Sequence, residues 1–125
     1  MEMRFFRCKE CGKIIAIVDG PAHCPTKCCG EPMEEIVPNT SDGAAEKHVP
    51  VIKVNGNHVV VEVGSVAHPM LDVHYIEWIA LETDRGNQRK QLKPGDAPRA
   101  EFALLDGEKV VAAYAYCNLH SLFKA

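Results

Sequence analysis

The sequence predicts a mainly β protein in which a small cysteine-rich module precedes an antiparallel β-sandwich or barrel. Five of the six cysteines lie between residues 8 and 29, whereas β-branched runs dominate from residue 51 onward. Between these regions, PNTSDGAAEKH (38–48) lacks apolar periodicity and has the composition of a linker. With 125 residues and 46% hydrophobic content, the chain suits one ordinary core plus a small additional module.

The N-terminal module, residues 1–37, is predicted to need a bound metal ion. A segment of this size falls below the roughly 40 residues at which a domain usually does without a metal or a disulfide. The thiolates of CKEC (8–11) can reach one ion from a single turn, and CPTKCCGEPM (24–33) offers a second pair. Four sulfur ligands suit zinc or iron, and the second pair is open among Cys24, Cys28 and Cys29.

The region after the linker is predicted to form several short antiparallel strands. Asn55-Gly56 and Asp106-Gly107 lie between β-rich runs and are typical of hairpin turns. No amphipathic helix is predicted. The β-rich runs are VIKVNGNHVVVEV (51–63), HYIEWIAL (74–81), AEFALL (100–105) and EKVVAAYAY (108–116).

Charge and hydropathy argue against nucleic-acid and membrane partners. The formal net charge is −3 and the pI is near 6.0, with no basic run of the kind that binds phosphates. MEMRFFRC has no apolar stretch long enough for a signal peptide, and no window reaches the roughly 20 apolar residues of a membrane span. We therefore expect a cytoplasmic protein, in which clustered cysteines more often bind metal than form disulfides.

A second group of candidate ligands combines one thiol with several imidazoles. Cys117 and His120 close the last long strand, and His68 and His74 flank the loop PMLDV, so that they can face one pocket. With His48 they make a donor set suited to iron, copper or zinc. The remaining histidines, His23 and His58, are interpreted as ordinary residues of a cysteine loop and a turn.

These features together resemble the desulfoferrodoxins, the two-iron branch of the superoxide reductase family. The matching stretches, in order, are CKECG, CCGEPM, EKHVPVI, VAHPM, HYIEWI, LKPGDAPRAEF and YCNLH. The resemblance implies a desulforedoxin-like metal module at 1–37, a linker and lysine loop at 38–47, and an immunoglobulin-like antiparallel β-sandwich at 48–125. The sequence departs from the family pattern at Cys24, which is an extra cysteine before the adjacent pair.

The resemblance also implies the ligands of two metal centres. The module would hold iron or zinc by four cysteines, and the sandwich would hold iron by four equatorial histidines and one axial cysteine. The ligands of the first centre are Cys8, Cys11, Cys28 and Cys29. Those of the second are His48, His68, His74 and His120, with Cys117 as the axial thiolate.

The implied activity is that of a superoxide reductase. Superoxide would take up one electron and two protons to give hydrogen peroxide, without release of dioxygen. Lys47 is expected to attract the anion and help deliver protons, and Glu46 to reach the open position of the oxidised metal. A rubredoxin or similar reductase would donate electrons to a homodimer. The alternative is a non-catalytic electron carrier or a zinc-stabilised interaction module.

Overall fold

The computed structural model describes residues 2–21 and 26–125, which form two compact units, residues 1–37 and residues 38–125. His23 and Cys24, discussed above, lie outside the described residues. Both units are built from antiparallel strands, which confirms the predicted mainly β fold class with a cysteine module ahead of a sandwich. Residues 38–47, predicted to be a linker, group with the second unit and contain the start of a one-turn helix, α1 (Ala45–His48).

The first unit contains two small sheets and little apolar core. One sheet has the order β2-β1-β5, and β3 pairs with β4 in a separate hairpin. Among its described residues only Phe5, Cys8 and Met33 are buried hydrophobic side chains. So small an apolar core contributes little burial free energy, in keeping with a module held by its cysteines. The strands are β1 (Phe5–Arg7), β2 (Ile14–Ala16), β3 (Lys27–Cys28), β4 (Glu31–Pro32) and β5 (Glu34–Ile36).

The second unit is a sandwich of a three-stranded and a four-stranded sheet. The strand orders are β10-β7-β6 and β12-β11-β8-β9, and every pairing is antiparallel. The strands are β6 (Pro50–Asn55), β7 (His58–Val63), β8 (Ile76–Thr83), β9 (Gly86–Gln91), β10 (Arg99–Ala103), β11 (Val110–Cys117) and β12 (Ser121–Lys124).

The core of the sandwich follows from alternation along the strands. In β7 the alternate residues Val59, Val61 and Val63 are buried, as expected where successive side chains point to opposite faces. They pack with the inward faces of the other sheet, so that a single cluster joins the two layers. Cys117, at the end of β11, belongs to this cluster and is fully buried. The core therefore reaches the end of the sandwich at which β11 stops.

One hairpin prediction is confirmed and another is wrong. Asn55-Gly56 joins β6 to β7 in a hairpin, with Gly56 at φ +62°. Asp106-Gly107 also forms a turn, with Gly107 at φ +82°, but it links β10 of one sheet to β11 of the other. The sequence therefore predicts the local turn correctly, whereas the pairing partner of each strand is decided by which sheet buries its apolar face.

Within the described ranges, no helix is long and apolar enough to cross a membrane.

Candidate metal centres

The first group of candidate ligands comes from two tight turns of the cysteine module. Cys8 donates its N–H to Lys13 O at 2.9 Å and accepts at its carbonyl from Gly12 N at 2.9 Å, which closes the CKECG turn. Gly12 has φ +79°, a conformation that glycine adopts without strain. The second turn follows β3, where Cys29 and Gly30 have φ values of +54° and +80°. Each turn brings two sulfur atoms to its tip.

The four sulfur atoms of Cys8, Cys11, Cys28 and Cys29 lie within 4.8 Å of one another. Sγ of Cys28 is 3.7 Å from Sγ of Cys11 and 3.9 Å from Sγ of Cys29. The N–H of Cys11 lowers the pKa of Cys8 to about 7, because it points at the Cys8 sulfur. Hydrogen bonding with the Cys8 and Cys11 sulfurs raises the pKa of Cys28 to about 12, because it holds the proton on the Cys28 thiol. A cation would take the place of the shared protons, so the donor set fits a tetrahedral thiophilic ion.

The second group of candidate ligands gathers at one end of the sandwich from three regions of the chain. His48 ends α1 and is buried, and His68 is buried in the loop that follows β7. His74 lies in the loop before β8, Cys117 ends β11, and His120 lies in the turn before β12. Single atoms of His48, His74, Cys117 and His120 all lie within 4.8 Å of one another. The ring of His68 contacts the rings of His48 and His74, so His68 belongs to the same group.

The four imidazoles form a closed square of edge-to-face contacts. Going round it, the ring centroids of His48, His68, His74 and His120 are separated by 4.6, 4.6 and 5.3 Å, and His120 returns to His48 at 4.8 Å. The interplanar angles of these neighbouring pairs run from 69° to 87°. Across the square, His48 and His74 are 6.3 Å apart. Such a square suits four nitrogen donors around one ion.

Backbone carbonyls select the nitrogen that each ring presents to the centre. Nδ1 of His48 lies 2.7 Å from Ala44 O and Nδ1 of His68 lies 2.6 Å from Pro69 O, so each Nδ1 carries the proton that it donates. Nε2 of His48 is therefore free to face Nδ1 of His120 at 3.1 Å and Nε2 of His68 at 3.2 Å. Nε2 of His74 is buried without a hydrogen-bond partner among the described residues. Ring nitrogens that converge in this way, with one of them lacking any partner, fit a metal ion.

Burial favours the neutral, metal-binding form of three of the histidines. Desolvation lowers the pKa of His48 and His74, and lowers that of His68 to about 4. Burial raises the pKa of the Cys117 thiol, although the N–H groups of Leu119 and His120 act in the opposite direction by pointing at its sulfur. Sγ of Cys117 is 3.8 Å from Nδ1 of His120. A buried thiol with two such donors gains most from a cation that stabilises its thiolate.

The candidate catalytic residues Glu46 and Lys47 are exposed on α1, immediately before His48. The charge of Lys47 contributes to the lowered pKa of His48 and His74, so its field reaches the histidine square. The helix is fixed through the carbonyl of Glu46, which accepts from Val66 N at 2.8 Å. Lys47 is therefore held beside the site by its backbone while its ammonium group stays in solvent.

Sequence reasoning missed the residues that hold the candidate ligands in place. Ser41 Oγ donates to the carbonyl of His120, and Asn118 bonds to the loop that carries His74. Gly64 lies so close to α1 that a β carbon there would come within 2.7 Å of Glu46 O. Only their places beside the ligand motifs could have pointed to these residues, because Asn118 lies inside YCNLH and Gly64 just before VAHPM.

Comparisons with known proteins agree in family and in fold. The sequence pattern of the Desulfoferrodoxin family matches residues 40–125. A desulfoferrodoxin homolog of Archaeoglobus fulgidus is 48% identical over 98% of this chain and 96% of its own, and the desulfoferrodoxin of Nitratidesulfovibrio vulgaris is 49% identical over 99% and 96%. The crystal structure of the superoxide reductase from Treponema pallidum superposes with a TM-score of 0.88 and 40% identity, covering 100% of this chain and 99% of that one.

Proposed function

Because the chain belongs to the desulfoferrodoxin family, we propose that it is a superoxide reductase that converts superoxide to hydrogen peroxide. The observation that carries this proposal is the square of four imidazoles beside one buried thiol at the end of the sandwich. Support also comes from a solved relative of nearly identical length that is named a superoxide reductase.

Iron is the metal that we propose for this site. Neutral imidazoles and a thiolate form a borderline-to-soft donor set, which suits iron better than oxygen-seeking ions such as magnesium. His48, His68, His74, His120 and Cys117 would hold the ion. Iron bound by them would supply the electron that superoxide accepts. Five protein donors would still leave room for the substrate.

The protein's own residues then attract the anion and supply protons. The ammonium group of Lys47 is exposed on a flexible stem next to His48, so it can draw a small anion toward the square and donate a proton from Nζ. The carboxylate of Glu46, also exposed on α1, is proposed as a further group that could reach a metal held by the histidines. Burial of His48, His68 and Cys117 limits water at the ligands themselves.

The four-cysteine site is proposed to hold iron or zinc. Four sulfur donors close its coordination shell, so it can stabilise the module or pass electrons but has no position for a substrate. We propose a rubredoxin or similar reductase as electron donor and a homodimer as the working assembly, both on the strength of family membership.

Salt dependence of the reaction tests the proposal and the role of Lys47. Attraction of an anion is screened over about 10 Å at 0.1 M salt, so the second-order rate with superoxide should fall as ionic strength rises. Lys47→Ala should lower that rate and flatten the salt dependence, with the iron content unchanged. Lys47→Arg should recover much of the attraction but less of the proton delivery.

Lys109→Ala is the matched charge control. Lys109 is exposed and directly precedes β11, and Cys117 is the last residue of that strand. The length of the strand, roughly 23 Å, therefore lies between Lys109 and Cys117. Stopped-flow mixing of the reduced, iron-loaded variants with superoxide at several salt concentrations gives the rates. Equal losses in Lys47→Ala and Lys109→Ala would show only a net-charge effect. No reaction in the iron-loaded parent would favour the electron-carrier alternative.

A further inference from the structure

Asn118 links the turn that carries Cys117 and His120 to the loop that carries His74. Its Oδ1 accepts from Tyr75 N at 2.9 Å, and its Nδ2 donates to Val73 O at 3.0 Å. Its own backbone N–H donates to Tyr75 O at 3.2 Å. Asn118 is therefore hydrogen-bonded three times to the two residues on either side of His74.

The orientation of the Asn118 amide is fixed by its partners. The N–H of Tyr75 requires an acceptor and the carbonyl of Val73 requires a donor, so only one of the two possible amide orientations satisfies both. The contacts also lie where the β8 and β11 ladder becomes irregular, between the pairs Tyr116↔Trp78 and Cys117↔Ile76. Beyond that irregularity the Asn118 side chain provides the bonds that a further strand residue would have made.

His74 depends on such support more than its neighbours do. The rings of His48 and His68 are each fixed by an Nδ1 hydrogen bond to a nearby carbonyl. In the described ranges no protein partner meets Nε2 of His74, and its backbone is held by reciprocal bonds with Leu71 at 3.1 and 3.0 Å. The position of this ring therefore follows from the backbone of residues 73–75, which Asn118 holds.

We propose that Asn118 is a positioning residue that fixes His74 in register with Cys117 and His120 and so keeps the ligand set closed. The inference rests on the proposed function in one respect, that His74 is a metal ligand. Both polar ends of the Asn118 side chain are engaged by backbone groups, so it is not itself a candidate ligand. It acts by setting the distance between two loops that each supply ligands, which is how residues behind a ligand usually influence a metal site.

Cobalt binding to Asn118→Leu tests this without turnover. Leucine has nearly the same size but neither donor nor acceptor, so Tyr75 N–H and Val73 C=O lose their partners. The full-length chain is first given one equivalent of Zn²⁺ to occupy the four-cysteine site, and Co²⁺ is then titrated while its visible absorption is recorded. We expect affinity to fall about 10- to 100-fold and the absorption bands to change, because His74 is no longer held in place.

Asn39→Gly is the matched control. The Asn39 side chain also makes two backbone bonds, to Lys124 O at 3.1 Å and from Lys124 N at 3.0 Å, but on β12 and away from His74. Asn39 has φ +63°, which glycine adopts freely, so the change removes the bonds without adding strain. It should lower resistance to urea yet leave Co²⁺ affinity and absorption at parent values.

A double-mutant cycle with His74→Ala distinguishes failure of the Asn118 inference from failure of the proposed ligand set. If Asn118 acts through His74, the Asn118→Leu change should have no further effect on Co²⁺ affinity once His74 is absent. Independent losses that add, or a parent-like spectrum in Asn118→Leu, would overturn the inference. Parent-like affinity in His74→Ala alone would overturn the proposed ligand set instead. Should Asn118→Leu fail to fold by circular dichroism, Asn118→Ser, which is too short to span both partners, is measured in the same cycle.

Discussion

Replacing Gly64 by alanine should displace α1 and with it the residues closest to the proposed substrate position. A β carbon at residue 64 would lie 2.7 Å from Glu46 O, 2.9 Å from Val49 O and 3.2 Å from the carbonyl carbon of Lys47. All three are backbone atoms, so no side-chain rotation can relieve the contact. Glycine is therefore required here by space, and the helix that ends in His48 is packed directly on it.

The size of the effect follows from these distances. Ordinary contacts of a β carbon begin near 3.4 Å, so the two oxygens must retreat by about 0.7 and 0.5 Å. Overpacking of this kind costs about 1–3 kcal/mol of unfolding free energy. Because misplacement of a reacting group by about 1 Å can cost a hundredfold in rate, we expect Gly64→Ala to react with superoxide about tenfold more slowly.

The assay pairs urea unfolding with stopped-flow kinetics on protein of equal iron content. Gly56→Ala is the control, because Gly56 has φ +62° with no atom within 4 Å of the place that a β carbon would take, and it lies at the opposite end of the β6 and β7 hairpin. It should lose about 1–2 kcal/mol through backbone strain and keep the parent rate. Parent-like stability and rate in Gly64→Ala would refute the reasoning, as would equal slowing in both variants.

Two further predictions concern the cysteines. Cys11→Ser should deprive the four-cysteine site of one ligand and lower the stability of the first unit, while pre-reduced protein still reacts with superoxide. Loss of that reaction in a variant that keeps its sandwich iron would contradict the proposed division of roles. Cys117→Ser should abolish the thiolate-to-iron absorption of the oxidised protein and most of its reactivity, because a hydroxyl is a harder and weaker donor. An unchanged visible spectrum would show instead that Cys117 is a buried structural residue.

The fold class could be predicted because its strongest signals are local. Alternation in the run that becomes β7 identifies a half-buried strand, and Asn55-Gly56 identifies the turn before it. The pairing of β10 with β7 and of β11 with β8 could not be predicted in this way. It depends on which inward faces meet in the core, which is a property of both sheets together.

The edge strand β9 (Gly86–Gln91) was missed for a different reason. GNQRKQ is almost wholly polar and mostly exposed, so neither hydrophobic alternation nor β-branched residues mark it. It is a strand because β8 offers a free edge, with pairs running from Trp78↔Gln91 to Thr83↔Gly86. Charged and amide side chains on such an edge also disfavour pairing with another chain.

Family resemblance identified candidate ligands, but the contacts that make them a site are properties of the fold. His48, His74 and His120 are far apart in the chain and come from a helix end, a loop and a turn. Their square is held by atoms that no ligand motif describes, such as the amide of Asn118 against Val73 and Tyr75.

Close packing supplies the remaining constraint. A β carbon on Gly43 would lie 2.8 Å from Cζ of Phe123, 3.0 Å from Cβ of His120 and 3.1 Å from Cε1 of His48. The segment before α1 is therefore pressed against two members of the square at once, and Gly64 presses α1 from another side. Packing of this density resists small displacements, because each atom that moves meets another. The site thus owes its geometry to glycines and backbone bonds as much as to the histidines, and substitutions at these positions should alter metal binding without touching a ligand.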